Sequence, residues 1–129
     1  MKKENKRQNK SFSPKSNLWL SVKSDIELKI ITGEYAVGDK IPTIVELIEK
    51  YGIGKTTAQK VINDLYSEGV IVKKVGVGCF VKPFVKEKLF ATHEEELKTL
   101  IDKAVDYALQ LGVDRKRIID IVNACIDER

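Results

Sequence analysis

Five polar residues fall close together, Lys55, Thr56, Thr57, Gln59 and Lys60, and their chemistry is that of recognition rather than bond making. A glutamine amide can pair bidentately with the N6 and N7 edge of adenine, and short hydroxyls can reach phosphates or base edges. The two ammonium groups suit a phosphate backbone. Further along, Lys73 and Lys74 precede the small segment Gly76-Val77-Gly78, which could reach a flanking backbone or a minor groove. Upstream, Thr43 and Glu46 have the spacing of a capping box. A helix opening at Thr43 would offer its amide end and hydroxyl to a phosphate. Bond-making chemistry finds little support. His93 is the single histidine, with no partner nucleophile beside it, and Cys79 and Cys125 are far apart in apolar sequence. A general base needs a partner and a metal needs clustered ligands. No catalytic residue, metal site or cofactor is expected, and both cysteines are expected to be small buried hydrophobes.

These residues need elements to position them. Trp19, Val22, Ile26 and Ile30 recur at helical spacing, which predicts a first helix over 18–32 stopped by Gly33. A loop over 34–40 follows. A second helix starts at Thr43, with Ile44, Leu47, Ile48 and Tyr51 on its apolar face. Gly52-Ile53-Gly54 predicts a tight turn with Ile53 as a buried plug. In a third helix over 55–68, Ala58, Val61, Ile62 and Leu65 face inward. Lys55, Thr56, Gln59, Lys60 and Asn63 face outward. The period then shortens to β-rich runs: a strand over 70–75, a turn at Gly76-Val77-Gly78, and a return strand over 79–82. A linker is expected over 83–91. A second capping box, Thr92 with Glu95, would open a helix, placing His93 in solvent and Glu94-Glu95-Glu96 at the favourable end of the helix dipole. Leu97, Leu100, Ile101, Ala104, Ala108 and Leu111 give that helix an apolar stripe. Asp114 caps a last helix carrying Ile118, Ile119, Val122, Cys125 and Ile126. Two such helices are too small to bury the stripe alone, so Leu97, Leu100, Ile101, Ala104, Ala108, Leu111, Ile118, Ile119, Val122 and Ile126 are expected to pack on a second copy.

The fold class expected is therefore mostly α with a small β-hairpin wing: a winged helix-turn-helix followed by a two-helix dimerisation hairpin. The domains expected are a basic arm over 1–17, a DNA-binding domain over 18–84 and a dimerisation tail over 85–129. The whole chain has 129 residues, 43% of them hydrophobic, and a formal net charge of +4. That charge is concentrated at the front: Lys2, Lys3, Lys6, Arg7, Lys10 and Lys15 against Glu4, six minus one, leave five net positives. A basic front and a mildly acidic back point to a polyanionic partner for the front. No apolar run is long enough to span a bilayer and no apolar signal core follows the basic start, so the expected compartment is the cytoplasm.

The segment from Ile30 through Gly33-Glu34-Tyr35 and Gly38-Asp39-Lys40-Ile41-Pro42-Thr43 resembles the start of a GntR-type DNA-binding domain. So do Glu46-Leu47, the run Tyr51 to Ile62, Asp64-Leu65, Glu68-Gly69-Val70-Ile71 and Gly76-Val77-Gly78-Cys79-Phe80-Val81. The resemblance covers residues 18–84. It implies a winged helix domain that binds a palindromic double-stranded DNA operator as a homodimer. Residues 85–129 are similar in length and pattern to the two-helix tail of the short YtrA-like branch. That likeness implies a bacterial repressor, with room for a small-molecule effector that the sequence does not identify.

Several positions depart from the family pattern. Val45 stands where an arginine is usual, and Gly54, Lys55 and Gln59 replace Ser or Thr, Arg and Arg. Val77 stands where a charged or polar residue is usual, and Cys79 where Thr is. Lysine is a point charge and not a bidentate guanine reader, so the operator is expected to depend less on guanine contacts. Two functions remain open at this level. The leading one is a sequence-specific DNA-binding regulator. The other is a winged-helix module that docks protein or RNA without reading duplex DNA.

Overall fold

In a computed structural model, residues 18–129 are described, so the expected basic arm lies outside the described residues. Helix α1 spans Leu18–Ile31 and buries Val22, Ile26 and Ile30, one residue per turn on a single face. Helix α2 spans Ile44–Tyr51 and helix α3 spans Lys55–Ser67. Between them Gly52 takes the left-handed conformation, φ 64°, where a Cβ would be strained, and its N–H donates to the Ile48 carbonyl. Ile53 is buried as the plug of this turn, and Ala58, Val61, Ile62 and Leu65 bury the inner face of α3.

Strands β1 (Ile71–Lys74) and β2 (Gly78–Val81) pair antiparallel, with Ile71 opposite Val81 and Lys74 opposite Gly78. The turn therefore begins one residue before the expected position: Val75 leaves the strand, and Gly78 belongs to β2. The segment read as a loop over 34–40 does more than connect. Its end pairs with the outer edge of β2 through Gly38 N–H to Val81 O, Val81 N–H to Asp39 O and Ile41 N–H to Cys79 O. These bonds cover a sheet edge that would otherwise be unpaired. They also tie the hairpin to the helices.

The core joins all these elements. Ile26, Ile41, Leu47, Val61, Leu65, Ile71 and Val81 are fully buried, each contributing about 1.5–3 kcal/mol of transfer free energy. Two polar clusters hold α1 in place. Lys23 Nζ lies 2.7 Å from Asp64 and 2.8 Å from Glu68, joining α1 to α3. The Tyr51 hydroxyl donates to Asp25, joining α2 to α1, and Lys29 reaches the same carboxylate at 3.2 Å.

Helix α4 runs over Lys86–Gln110, and its start corrects the sequence reading. Residues 86–91 are helix, not linker, because Val85 and Leu89, one turn apart, both enter the core. Thr92 and Glu95 consequently lie inside the helix and cap nothing; an i, i+3 Thr–Glu spacing occurs within helices as readily as at their ends. Glu94-Glu95-Glu96 sits well past the first turn, outside the reach of the helix dipole. His93 is half-buried, 3.5 Å from Glu96, and not simply solvated.

The described residues divide into two compact units, 18–89 and 90–129. In the second, the rest of α4 is followed by α5 (Arg115–Asp127), capped as expected by Asp114, whose carboxylate accepts from the Arg117 amide at 2.9 Å. No residue of this unit is buried. Leu100, Ala108 and Ile118 are half-buried, whereas Leu97, Ile101, Ala104, Leu111, Ile119, Val122 and Ile126 are exposed. Cys125 is exposed too, contrary to the buried position expected for it, while Cys79 packs against the first unit's core. Among the described residues no helix is long and apolar enough to cross a membrane.

Candidate nucleic-acid interface

Helix α3 presents its polar residues as one surface. Lys55, Gln59 and Asn63, each one turn beyond the last, form one exposed row, and Thr56 with Lys60 forms the next. Thr57 is half-buried at their margin. This surface is exposed because the opposite face, from Ala58 to Leu65, is held in the core. The N-cap of α3 is Gly54, which offers no side-chain cap, so the first-turn amides keep their partial positive charge for an outside acceptor.

Helix α2 begins as the sequence predicts, with the Thr43 hydroxyl accepting from the Glu46 amide at 3.1 Å and the Glu46 carboxylate accepting from the Thr43 amide at 2.8 Å. That second bond holds the Glu46 carboxyl below the usual carboxylate range. It also occupies the Thr43 amide, so Thr43 can offer an outside phosphate its hydroxyl but not its own N–H. Val45 follows, with 66% of its surface exposed.

The hairpin carries Lys73 and Lys74 at the end of β1, both exposed, and a small apolar tip. Val75 is fully exposed and Val77 is 56% exposed. Glycine is favoured at position 78, at the base of the tip, because its φ of 142° disfavours any side chain; an added Cβ would also stand 2.6 Å from Lys40 Cε and push that flexible stem aside. The Lys40 stem thus crosses the hairpin base, an exposed cation that the sequence reading missed because its position depends on the bridge to Phe80.

Lysines in this unit are held in two ways. Carboxylates surround some. Burial opposes the charge on Lys23, but the hydrogen bonds it donates to Asp64 and Glu68 outweigh it and hold its pKa above the ordinary lysine value. In return, the Lys23 bond keeps the Asp64 carboxyl below its ordinary value. Other lysines rest on aromatic rings: Lys60 Nζ lies 4.2 Å from the Trp19 ring centre, Lys73 4.5 Å from Tyr66 and Lys74 4.8 Å from Phe80. Lys73 also approaches the Asn63 side-chain oxygen at 3.5 Å. Among the described residues none of these three makes a salt bridge. No group of acidic, histidine or cysteine side chains among the described residues could hold a metal ion.

Comparison with known proteins gives the arrangement its context. The model for bacterial regulatory proteins of the gntR family matches residues 18–81. A histidine utilization repressor from Klebsiella aerogenes is 37% identical over 60 residues, 46% of this chain and 25% of that protein. This chain spans under a third of the length of the curated relatives it matches. Among solved structures, a GntR family transcriptional regulator from Listeria monocytogenes aligns with a TM-score of 0.71 at 23% identity, covering 90% of this chain and 98% of that one. The AraR DNA-binding domain, solved in complex with operator ORR3, aligns with a TM-score of 0.50 at 31% identity, covering 60% of this chain and 90% of that one.

Proposed function

We propose, from the premise that the chain belongs to the gntR family of bacterial regulatory proteins, that it is a sequence-specific DNA-binding repressor acting as a homodimer. The family is one of regulators and not of enzymes. The observation that carries the reading is the exposed α3 face from Lys55 to Asn63, flanked by hairpin lysines that no carboxylate among the described residues neutralises. In this reading α3 enters the major groove. Gln59 reads adenine, while Lys55, Thr56, Thr57 and Lys60 contact phosphates and base edges. Thr43 contacts a phosphate through its hydroxyl. Lys73, Lys74 and the Gly76, Val77 and Gly78 tip follow the adjacent backbone or minor groove.

The domain limits proposed are 18–84 for DNA binding and 85–129 for dimerisation, the latter in the manner of the YtrA-like branch. The exposed set Leu97, Ile101, Ala104, Leu111, Ile119, Val122 and Ile126 supports a second copy as the partner, with Leu100, Ala108 and Ile118 at its margin. A dimer of this kind would occupy a palindromic operator in the cytoplasm and obstruct transcription there.

Hydroxyl-radical footprinting on a duplex recovered by selection from a random pool tests the reading. A dimer should protect two half-sites centred about 10–10.5 base pairs, or a multiple of that, apart. A single protected patch would refute the dimeric arrangement, and failure of the selection to enrich any sequence would refute specific reading. One observation favours a second function, a module that docks protein or RNA: Val45, Val75 and Val77 are exposed apolar side chains on the same elements. That reading predicts no preference among duplexes.

A further inference from the structure

We propose that Trp19 is a positioning residue for DNA binding, whose indole face fixes the Lys60 ammonium on α3 without neutralising it. The inference rests on the DNA-reading function proposed above. Lys23 and Lys29 are gripped by carboxylates, so their charge is satisfied within the protein. A ring acts differently. It attracts the ammonium through its quadrupole but carries no net charge, so the cation's outward field survives. Lysine has a long, mobile stem, and binding a phosphate requires that mobility to be given up. A lysine already resting on a ring gives up less.

Four lysines lie over rings, counting Lys50 at 5.6 Å from its neighbour Tyr51 on α2, but the Lys60 pair is distinct in two respects. Its separation is the shortest, 4.2 Å, and indole is the strongest of the aromatic platforms. Its ring also comes from outside the helix-turn-helix and hairpin. Tyr66 lies on α3 and Phe80 on β2, whereas Trp19 lies on α1 and packs against the core, which fixes the platform. Helix α1 would thereby contribute to affinity through a lysine of another helix, touching no nucleotide itself.

A double-mutant cycle tests this on the selected duplex, with Trp19→Leu and Lys60→Met measured singly and together. Trp19→Leu keeps an apolar side chain against the core but removes the ring face. It should weaken binding about two- to fivefold when Lys60 is present and change nothing when Lys60 is Met. Trp19→Phe should restore most of the loss. Lys60→Met alone should weaken binding and lower the salt slope by about one phosphate contact. An additive cycle would mean that Trp19 acts by packing alone and would overturn the proposal. So would an inert Lys60→Met, or a Trp19→Phe that fails to rescue. Wild-type protein with no preference for the selected over a scrambled duplex would instead overturn the DNA-reading function, and this inference with it.

Discussion

The two units of this chain obtain their order from different sources. Residues 18–89 bury a core that includes seven fully buried side chains from helices, loop and both strands. Residues 90–129 contain two well-formed helices, one with an aspartate cap, and bury no residue fully. Both units show apolar residues at helical spacing, and that periodicity looks the same in the sequence. Their difference lies in what covers the stripe. In the first unit it is the chain itself; in the second we infer that it is another copy.

Large-to-small replacement should expose the difference most strongly. Leu65→Ala removes a fully buried side chain and should cost about 2–5 kcal/mol in chemical denaturation, at any protein concentration. Ile119→Asp places a charge on the exposed stripe of the second unit. It should leave the first unit's unfolding unchanged but weaken self-association on the order of a hundredfold, about 3 kcal/mol, in sedimentation equilibrium. If Ile119→Asp left the association state unchanged, the inferred coverage by a second copy would be wrong.

Polar contacts in the first unit should contribute less. Lys23→Met leaves Asp64 and Glu68 without their cation. Those carboxylates keep 25% and 47% of their side-chain exposure, so the loss should be about 1–2 kcal/mol, below that of a fully buried pair. The same cluster predicts a pH dependence. Asp64 is held below its ordinary value of 3.8 by Lys23. Asp25 is also held below 3.8, because hydrogen bonds from Tyr51 and Lys29 outweigh its burial. Both contributions should be complete above that value and lost as pH falls from it through the lower folded-state values. Acid titration of Lys23→Met should lack the Asp64 part and keep the Asp25 part; an unchanged acid transition would contradict the assignment. Smallest of all, Thr43→Ala should cost about 1 kcal/mol in the first unit, a loss readable as a lower melting temperature.

What was legible in the sequence was mostly local. The Thr43–Glu46 box, the Ile53 plug and the two faces of α3 depend on spacings of a few residues, and the structure reproduces each. The start of α4 was not legible, because the helix is carried back to Lys86 by burial of Leu89 and Val85 against a distant core. The Thr92–Glu95 spacing, meanwhile, imitated a cap. Lys40 was missed for a similar reason: a single bridge to Phe80 has no periodicity to betray it. The aromatic supports of Lys60, Lys73 and Lys74 were hidden too. For Trp19 and Lys60 only the packing of α1 against α3 reveals the pair. The exposed lysines could be named from the sequence, but not how they are held.

The most direct test of the account is an anisotropy titration of a duplex recovered by selection against its scrambled counterpart, at two salt concentrations. A specific reader should prefer its site by about a thousandfold or more near physiological salt, with affinity falling steeply as salt rises. Equal affinity for both duplexes, or no binding to either at low salt, would contradict the claim that the α3 face reads DNA.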